Sequence, residues 1–132
     1  MGLYELIDYL VRLKLANHRK ALCVLGMAAN GEPTDKIYDV CNVSRAELKG
    51  YLSRAREKVG NGYKSLVIIK HVVPLLSDIQ PIIVNNRCII CNTDLRYSQD
   101  ALMHVRYRHR DMVAKYVDEV VKKLAKRMLE TS

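Results

Sequence analysis

Residues 82–110 read IIVNNRCIICNTDLRYSQDALMHVRYRHR, and this stretch decides how the C-terminal part of the chain folds. Cys88 and Cys91 are separated by two residues, twelve residues lead on to His104, and four lie between His104 and His109. Two cysteines on a tight turn and two histidines near one helical turn can offer four sulfur and nitrogen ligands to one ion. Four such ligands in a tetrahedron satisfy zinc and leave no open position for chemistry. The pattern therefore predicts one structural zinc ion. The alternative is a pair of ordinary thiols beside two surface histidines.

The same stretch resembles the two-cysteine, two-histidine zinc finger family, whose fold is a β-hairpin followed by a helix (ββα). Leu95 stands where that family has an aromatic core residue, and Ala101 stands where it has a leucine, with Leu102 beside it. These departures imply a small core that packs against the rest of the protein for its stability. Because residues five apart do not share a helix face, the spacing of the two histidines predicts that the helix loosens around residues 105–108.

The resemblance also implies how the finger would meet DNA. In that family, bases are read from positions just before and along the first helical turns, which here hold Tyr97, Gln99, Asp100 and Met103. Gln99 can pair with adenine and Asp100 can accept a hydrogen bond from cytosine, whereas Met103 cannot hydrogen-bond a base edge. The candidates for phosphate contacts are Arg96, Arg106, Arg108 and Arg110. The alternative is a finger that only docks the following helix against the body of the protein.

Residues 34–53 resemble the helix-turn-helix family. With Thr34 as the first of twenty positions, the five places where that motif is apolar hold Ile37, Cys41, Val43, Leu48 and Tyr51. Asn42 falls at the turn, where glycine is usual and asparagine tolerates a positive φ. Ser44 and Glu47 form an S-x-x-E capping box, which predicts the start of a helix that runs to about residue 59. The alternative is any small helical bundle that contains a capped amphipathic helix.

A preceding helix and a following strand pair around residues 60–62 make the whole region resemble a winged helix. This resemblance implies that the helix after Ser44 lies in the major groove of DNA, with Arg45 as the main base reader. The residues implied to face the bases are Ser44, Arg45, Ala46, Lys49 and Gly50. Those implied to contact phosphates, from the end of that helix and from the wing, are Arg54, Arg56, Lys58 and Lys64.

Periodicity predicts the remaining elements. Apolar spacing predicts a helix over residues 3–15 and a second helix that Asn17 caps and Asn30-Gly31 ends. Residues 65–73 are rich in β-branched side chains and are predicted to form a strand. Two further elements are a short strand over 82–84, closed by a turn at 85–86, and one long helix over 98–130.

The predicted fold is therefore mostly α with a small amount of β structure. A winged helix-turn-helix domain occupies residues 1–78, and a ββα zinc finger with an extended C-terminal helix occupies residues 79–132. The apolar stripe of the long helix has two alternative partners, which are its counterpart in a homodimer and the helix over residues 3–15.

The composition limits the class of protein. The chain of 132 residues carries 22 Lys and Arg against 14 Asp and Glu, a net charge of +8 that suggests a polyanionic partner. Charges interrupt the apolar runs and no signal peptide is visible, so we expect an intracellular protein that does not enter a membrane. Four cysteines are too few for a secreted disulfide scaffold. Cys23 and Cys41 are expected to be buried core thiols, with a bridge between them as the alternative if the source is a hyperthermophile.

We expect a zinc-containing DNA-binding protein that regulates transcription on duplex DNA. It looks like the small regulators of archaeal viruses and plasmids. An enzyme is not expected, because the sequence lacks paired carboxylates, a nucleophile elbow, a phosphate loop and an open metal site. One alternative is a protein–protein adaptor in which the cysteine turn and the long helix form a platform. Another is an RNA-binding protein that stacks bases on Tyr97 and Tyr107.

Overall fold

The computed structural model describes residues 2–60 and 62–130, which are mostly helical with one small two-stranded antiparallel sheet. The helices are α1 (Gly2–Leu15), α2 (Arg19–Ala29), α3 (Thr34–Cys41), α4 (Arg45–Val59), α5 (Gly62–Val72), α6 (Ser98–Arg108) and α7 (Arg110–Glu130). A 3-10 turn (Val73–Leu76) follows α5. The sheet pairs β1 (Ile83–Val84) with β2 (Arg87–Cys88), and Ile83 lies opposite Cys88.

Helix α1 lies at the centre of the fold and packs against α2, α4, α6 and α7. Six of its aliphatic side chains have no exposure to solvent, namely Leu6, Ile7, Leu10, Val11, Leu13 and Leu15. The helix ends where Asn17 adopts a left-handed conformation, with φ of 59°. There the backbone N–H of His18 donates to the carbonyl of Leu13 and that of Asn17 donates to Lys14, which closes a Schellman turn. Asn17 therefore ends α1 and does not cap α2, contrary to the sequence-based expectation.

The segment from α3 to α4 has the local structure that the sequence predicts. Asn42 ends α3 with φ of 54°, the left-handed conformation expected at the turn. Ser44 then caps α4: its hydroxyl oxygen accepts a bond from the Glu47 N–H at 3.1 Å, while the Glu47 carboxylate accepts one from the Ser44 N–H at 3.0 Å. The five positions predicted to be apolar are all buried, namely Ile37, Cys41, Val43, Leu48 and Tyr51.

The strand predicted over residues 65–73 is wrong, because this segment forms α5 and the start of the 3-10 turn. Ile69, Val72 and Leu76 recur at helical spacing and are almost completely buried. Burial of one helical face outweighs the modest β-propensity of the branched side chains. No wing therefore follows α4 in the described part of the chain, and Lys64 lies in the first turns of α5 instead of on a wing.

The single C-terminal helix that was predicted is two helices. Helix α6 ends at Arg108, His109 takes φ of −120° and ψ of 35°, and α7 begins at Arg110. The break lies next to residues 105–108, where the histidine spacing predicts a loosening. Val113, Val117, Val120 and Leu124 of α7 are buried, and α7 packs most extensively on α1 of the same chain. A homodimer through α7 stays a prediction, with the exposed apolar side chains Met128 and Leu129 at the end of the helix.

Cys23 of α2 and Cys41 of α3 form a disulfide, with their Cα atoms 5.6 Å apart. This corrects the expectation of two core thiols. This Cα separation is close to the commonest value for a bridge, about 5.5–6 Å. The disulfide therefore fixes α3 against α2 covalently, in addition to the packing between the two helices.

One hydrophobic core contains side chains from both predicted domains, from Leu6 to Leu124. The backbone also crosses the predicted boundary, since the Ile82 N–H donates to the Leu15 carbonyl at 2.9 Å. The division at residues 78 and 79 remains a prediction. None of the helices in the described ranges is both long enough and apolar enough to cross a membrane.

Replacing Cys23 and Cys41 together by alanine should lower the free energy of unfolding by about 3 kcal/mol, because the bridge closes a loop between residues 18 apart and restricts the unfolded chain. Urea unfolding without reductant measures the difference. As a control, a phosphine reductant should lower the stability of the wild type to that of the double variant and leave the variant unchanged. Equal stability of the two proteins without reductant would contradict the prediction.

Candidate metal centre

A tight hairpin positions the two cysteines. The Cys88 N–H donates to the Thr93 carbonyl at 2.9 Å, and the Asn92 N–H donates to the Cys88 carbonyl at 2.8 Å. Asn92 has φ of 60°, so the chain reverses directly after Cys91. Residues 88–91, which we call the knuckle, thereby present both sulfurs at one side of the turn. Cys88 is fully buried, whereas Cys91 is exposed.

The two histidines lie on either side of the point where α6 ends. His104 belongs to the last two turns of α6, and His109 occupies the break before α7. The backbone bonds from the His109 N–H to Val105 and from the Val113 N–H to His109 continue across the break, at 3.2 and 3.0 Å. Residues five apart do not share a helix face. Because the backbone of His109 departs from helical dihedral angles, its ring lies on the same side as the ring of His104.

The four side chains converge on one point. The Sγ atoms of Cys88 and Cys91 lie 3.4 and 3.2 Å from Nε2 of His109, and Nε2 of His104 lies 3.2 Å from the same atom. The four candidate ligand atoms all lie within 4.8 Å of one another. These residues could therefore hold one metal ion, as the sequence predicts.

The protonation of the two imidazoles suits this role. Burial lowers the pKa of His104, with smaller contributions from His109 and Arg108. Burial also lowers the pKa of His109, again with a contribution from Arg108. Both rings therefore favour the neutral form, which has a lone pair to donate. Desolvation, followed by the hydrogen bond and the charge of Cys88, raises the pKa of Cys91.

The residues predicted to contact DNA lie on α4, α5 and α6 and at the residues just before α4 and α6, and they are mostly on the surface. Lys58 is half-buried, and the Ser44 hydroxyl is engaged in the capping box. The other predicted residues are exposed, namely Arg45, Lys49, Arg54, Arg56, Lys64, Arg96, Tyr97, Gln99, Asp100, Arg106 and Arg108.

The structure brings together two sets of residues that were predicted separately. Arg54 of α4 and Gln99 of α6 line one cavity, and Lys58 of α4 and Arg106 of α6 line another. Helices α4 and α6 are therefore neighbours on the surface. Arg45 and Lys49 lie on a different side of α4 and line neither cavity.

The sequence-based reasoning missed the tyrosines that lie beneath these cations. Tyr9 contacts Arg12 and Tyr51 contacts Arg54, with the guanidinium carbons 5.7 and 5.3 Å from the ring centres. A tyrosine followed three residues later by an arginine on a helix places the two side chains side by side. That spacing is the signal that could have identified both pairs.

Comparisons with family models, curated proteins and solved structures find no match for this chain.

Replacing His104 by alanine should weaken metal binding by more than about 100-fold, which is the upper end of the cost of losing a residue that only supports a ligand. The metal content of purified, tag-free protein and the binding constant measured by competition with a chelator test this. His71→Ala is the matched control, because His71 is exposed and lies outside the four-residue cluster. One metal ion per chain is expected in the wild type and the control, and its absence from the wild type would contradict the site.

Proposed function

We propose that this chain is a zinc-stabilised protein that binds duplex DNA through a helix-turn-helix and regulates transcription. The observation that carries the proposal is the surface of α4. Arg45, Lys49 and Arg56 are exposed there, and none of them is paired with a carboxylate of the described residues. A row of unpaired cations on one helix is the kind of surface that a polyanion binds.

The ligand set supports zinc as the metal. Thiolate and imidazole are the donors that structural zinc sites use most, at bond lengths of about 2.3 Å and 2.0–2.1 Å. A tetrahedral ion with those bonds would separate sulfur from nitrogen by about 3.6 Å and two nitrogens by about 3.3 Å. The separations of 3.2 to 3.4 Å around His109 are close to these values. With four protein ligands the ion would have a structural role.

The helix-turn-helix assignment is supported by the segment from Thr34 to Tyr51. A left-handed residue at the turn, a capped second helix and five buried apolar positions are what two steeply crossing helices need. Since α5 follows α4 where a wing was expected, we propose a helix-turn-helix without a wing. Contacts that a wing would make to DNA would then come from another part of the protein.

The distribution of charge supports α4 as the helix that would face DNA. Arg45, Lys49 and Arg56 follow one another at intervals of four and seven residues and form one row along the helix, while Arg54 and Lys58 form a second row on another side. The small exposed residues Ala46 and Ser53 lie between the rows, and Arg54 folds back over Gly50, where its Nε donates to the Gly50 carbonyl at 3.1 Å. Helix α3 exposes Asp35 and Asp39 instead, so it is less suited to a polyanion.

An adaptor that binds another protein is the second candidate function. The observation that favours it is the exposure of two isoleucines, Ile89 at 59% and Ile90 at 49%, between the cysteines of the knuckle. Apolar side chains held rigidly at a surface are typical of protein interfaces. An adaptor should bind neither duplex DNA nor single-stranded RNA with a steep dependence on salt.

Replacing Arg45 and Lys49 together by alanine should weaken binding to duplex DNA. For a wild type that neutralises about six phosphates, the log–log slope of affinity against salt should be roughly −5. The double variant should reduce the size of that slope by about 2, and affinity at 0.1 M salt should fall on the order of 50-fold. Fluorescence anisotropy over a salt series measures both quantities.

The matched control replaces Lys122 and Lys126, two exposed lysines of α7, by alanine. It removes the same charge from a helix that packs on α1, and the slope should stay close to that of the wild type. A shallow wild-type slope, or a control that loses as much as the α4 variant, would count against the proposal. Tighter binding to single-stranded RNA than to duplex DNA would favour the RNA alternative.

A further inference from the structure

A groove runs between α4 and α6, and we call it the tyrosine-backed groove. One end is a cavity of about 450 Å³ lined by Tyr4, Glu5, Asp8, Arg12, Lys58 and Arg106. The other end is a cavity of about 250 Å³ lined by His18, Tyr51, Arg54, Gln99 and Leu102. Arg54 and Lys58 are one turn apart on α4, as Leu102 and Arg106 are on α6, so the two cavities adjoin along the same pair of helices.

Each cation of the groove lies over a tyrosine ring. The guanidinium carbon of Arg54 lies 5.3 Å from the centre of Tyr51, and the Lys58 ammonium lies 5.4 Å from the centre of Tyr9. Tyr9 also contacts Arg12 at 5.7 Å. The fourth contact, at 5.5 Å, joins Arg106 to Tyr107. In the described part of the chain, every contact of this type involves a cation of the groove.

A tyrosine orients a cation without neutralising it, whereas a carboxylate does both. Burial raises the pKa of Tyr9 and of Tyr51, so both rings remain neutral phenols beneath their cations. Arg54, Lys58 and Arg106 are thus held in defined positions with their full positive charge. This arrangement suits a ligand that supplies several negative charges at once.

Few acidic groups offset this positive charge. Asp8 lies in the groove but is paired with Arg12 at 2.7 Å. Glu5 is the other carboxylate of the lining, and it forms no ion pair with Lys58 or Arg106. At the opposite end, burial and the charge of Arg54 lower the pKa of His18, so that residue stays neutral. Arg54, Lys58 and Arg106 therefore leave the groove with a positive balance.

We propose that the tyrosine-backed groove binds the sugar-phosphate backbone of the DNA that α4 contacts. This inference rests on the proposed function, and it gives the finger a direct part in binding. Arg106 from the finger helix and Arg54 from α4 hold phosphates from the two walls. Gln99 lines the groove beside Arg54, so its position suits a contact with the backbone better than the reading of adenine. The groove takes over the phosphate contacts that a wing would have made.

The experiment measures duplex DNA binding over a salt series for Arg54→Ala and Arg106→Ala in the full chain. Each variant should reduce the size of the log–log salt slope by about 1 and affinity at 0.1 M salt by on the order of tenfold. Arg106→Lys keeps the charge and should retain the wild-type slope. Tyr107→Ala removes the support of Arg106 without changing charge, so it should lower affinity while the slope falls less.

Thermal melting and metal content identify any variant whose fold is damaged. If Arg106→Ala is damaged, the salt slope of Arg106→Lys shows whether the positive charge at this position contributes to binding. Arg127→Ala, a change of exposed arginine on α7, is the control for the loss of one charge. Wild-type slopes for Arg54→Ala and Arg106→Ala, together with a loss in the Arg45 and Lys49 double variant, would overturn the groove and leave the proposed function standing. If only the groove variants lose affinity, the result would support the groove and refute the role assigned to Arg45 and Lys49. If no variant changes binding, both ideas fail.

Discussion

The burial of α1 is the constraint on which the rest of the structure depends. This helix is buried along its apolar sides, while Glu5, Asp8 and Arg12 line the groove on its polar side, and α2, α4, α6 and α7 each cover part of it. Each fully buried valine, leucine or isoleucine contributes about 1.5–3 kcal/mol relative to an exposed one, and the six on α1 are half of the twelve largest fully buried side chains in the described part of the chain. The C-terminal part assembles on this helix, which is the second of the two partners that the sequence offers for the apolar stripe of the C-terminal helix.

This arrangement explains how the short segment around the knuckle and α6 can be ordered. Its own apolar side chains are few and small, and two of them, Leu95 and Ala101, are buried. Val105, on the same face of α6, has no exposure to solvent and joins the common core around α1. The side chains of Cys88, Cys91, His104 and His109 converge where the knuckle meets the end of α6. Packing on α1 and α7 holds α6 in place.

The features that the sequence predicts are those that depend on residues close together in the chain. The cluster that contains Cys88 and His104, the capping box at Ser44 and the turn at Asn42 all follow from local spacing and local backbone chemistry. The identity of α5 did not follow, because its branched side chains suit a strand and only the distant core makes a helix more favourable. The groove also could not be predicted, since it requires the relative placement of helices about fifty residues apart.

The disulfide between Cys23 and Cys41, like the groove, depends on helices that only the complete fold brings together. Each cysteine lies in an apolar stretch typical of a buried thiol, and the pair becomes visible only when α2 and α3 are placed side by side. The chain thus uses its four cysteines in two different ways. One pair is joined covalently within the helical body, and the other pair converges with two histidines at the knuckle.

The turns of the protein have a consequence for its evolution. All five non-glycine residues with positive φ in the described part of the chain are asparagines, at positions 17, 42, 85, 86 and 92. Only glycine, asparagine and to a lesser degree aspartate adopt this conformation at low cost. Few substitutions are therefore tolerated at these five positions without strain in the backbone. Distant homologues should be easier to recognise by this set of turn positions, taken together with the cysteine and histidine spacing, than by overall similarity.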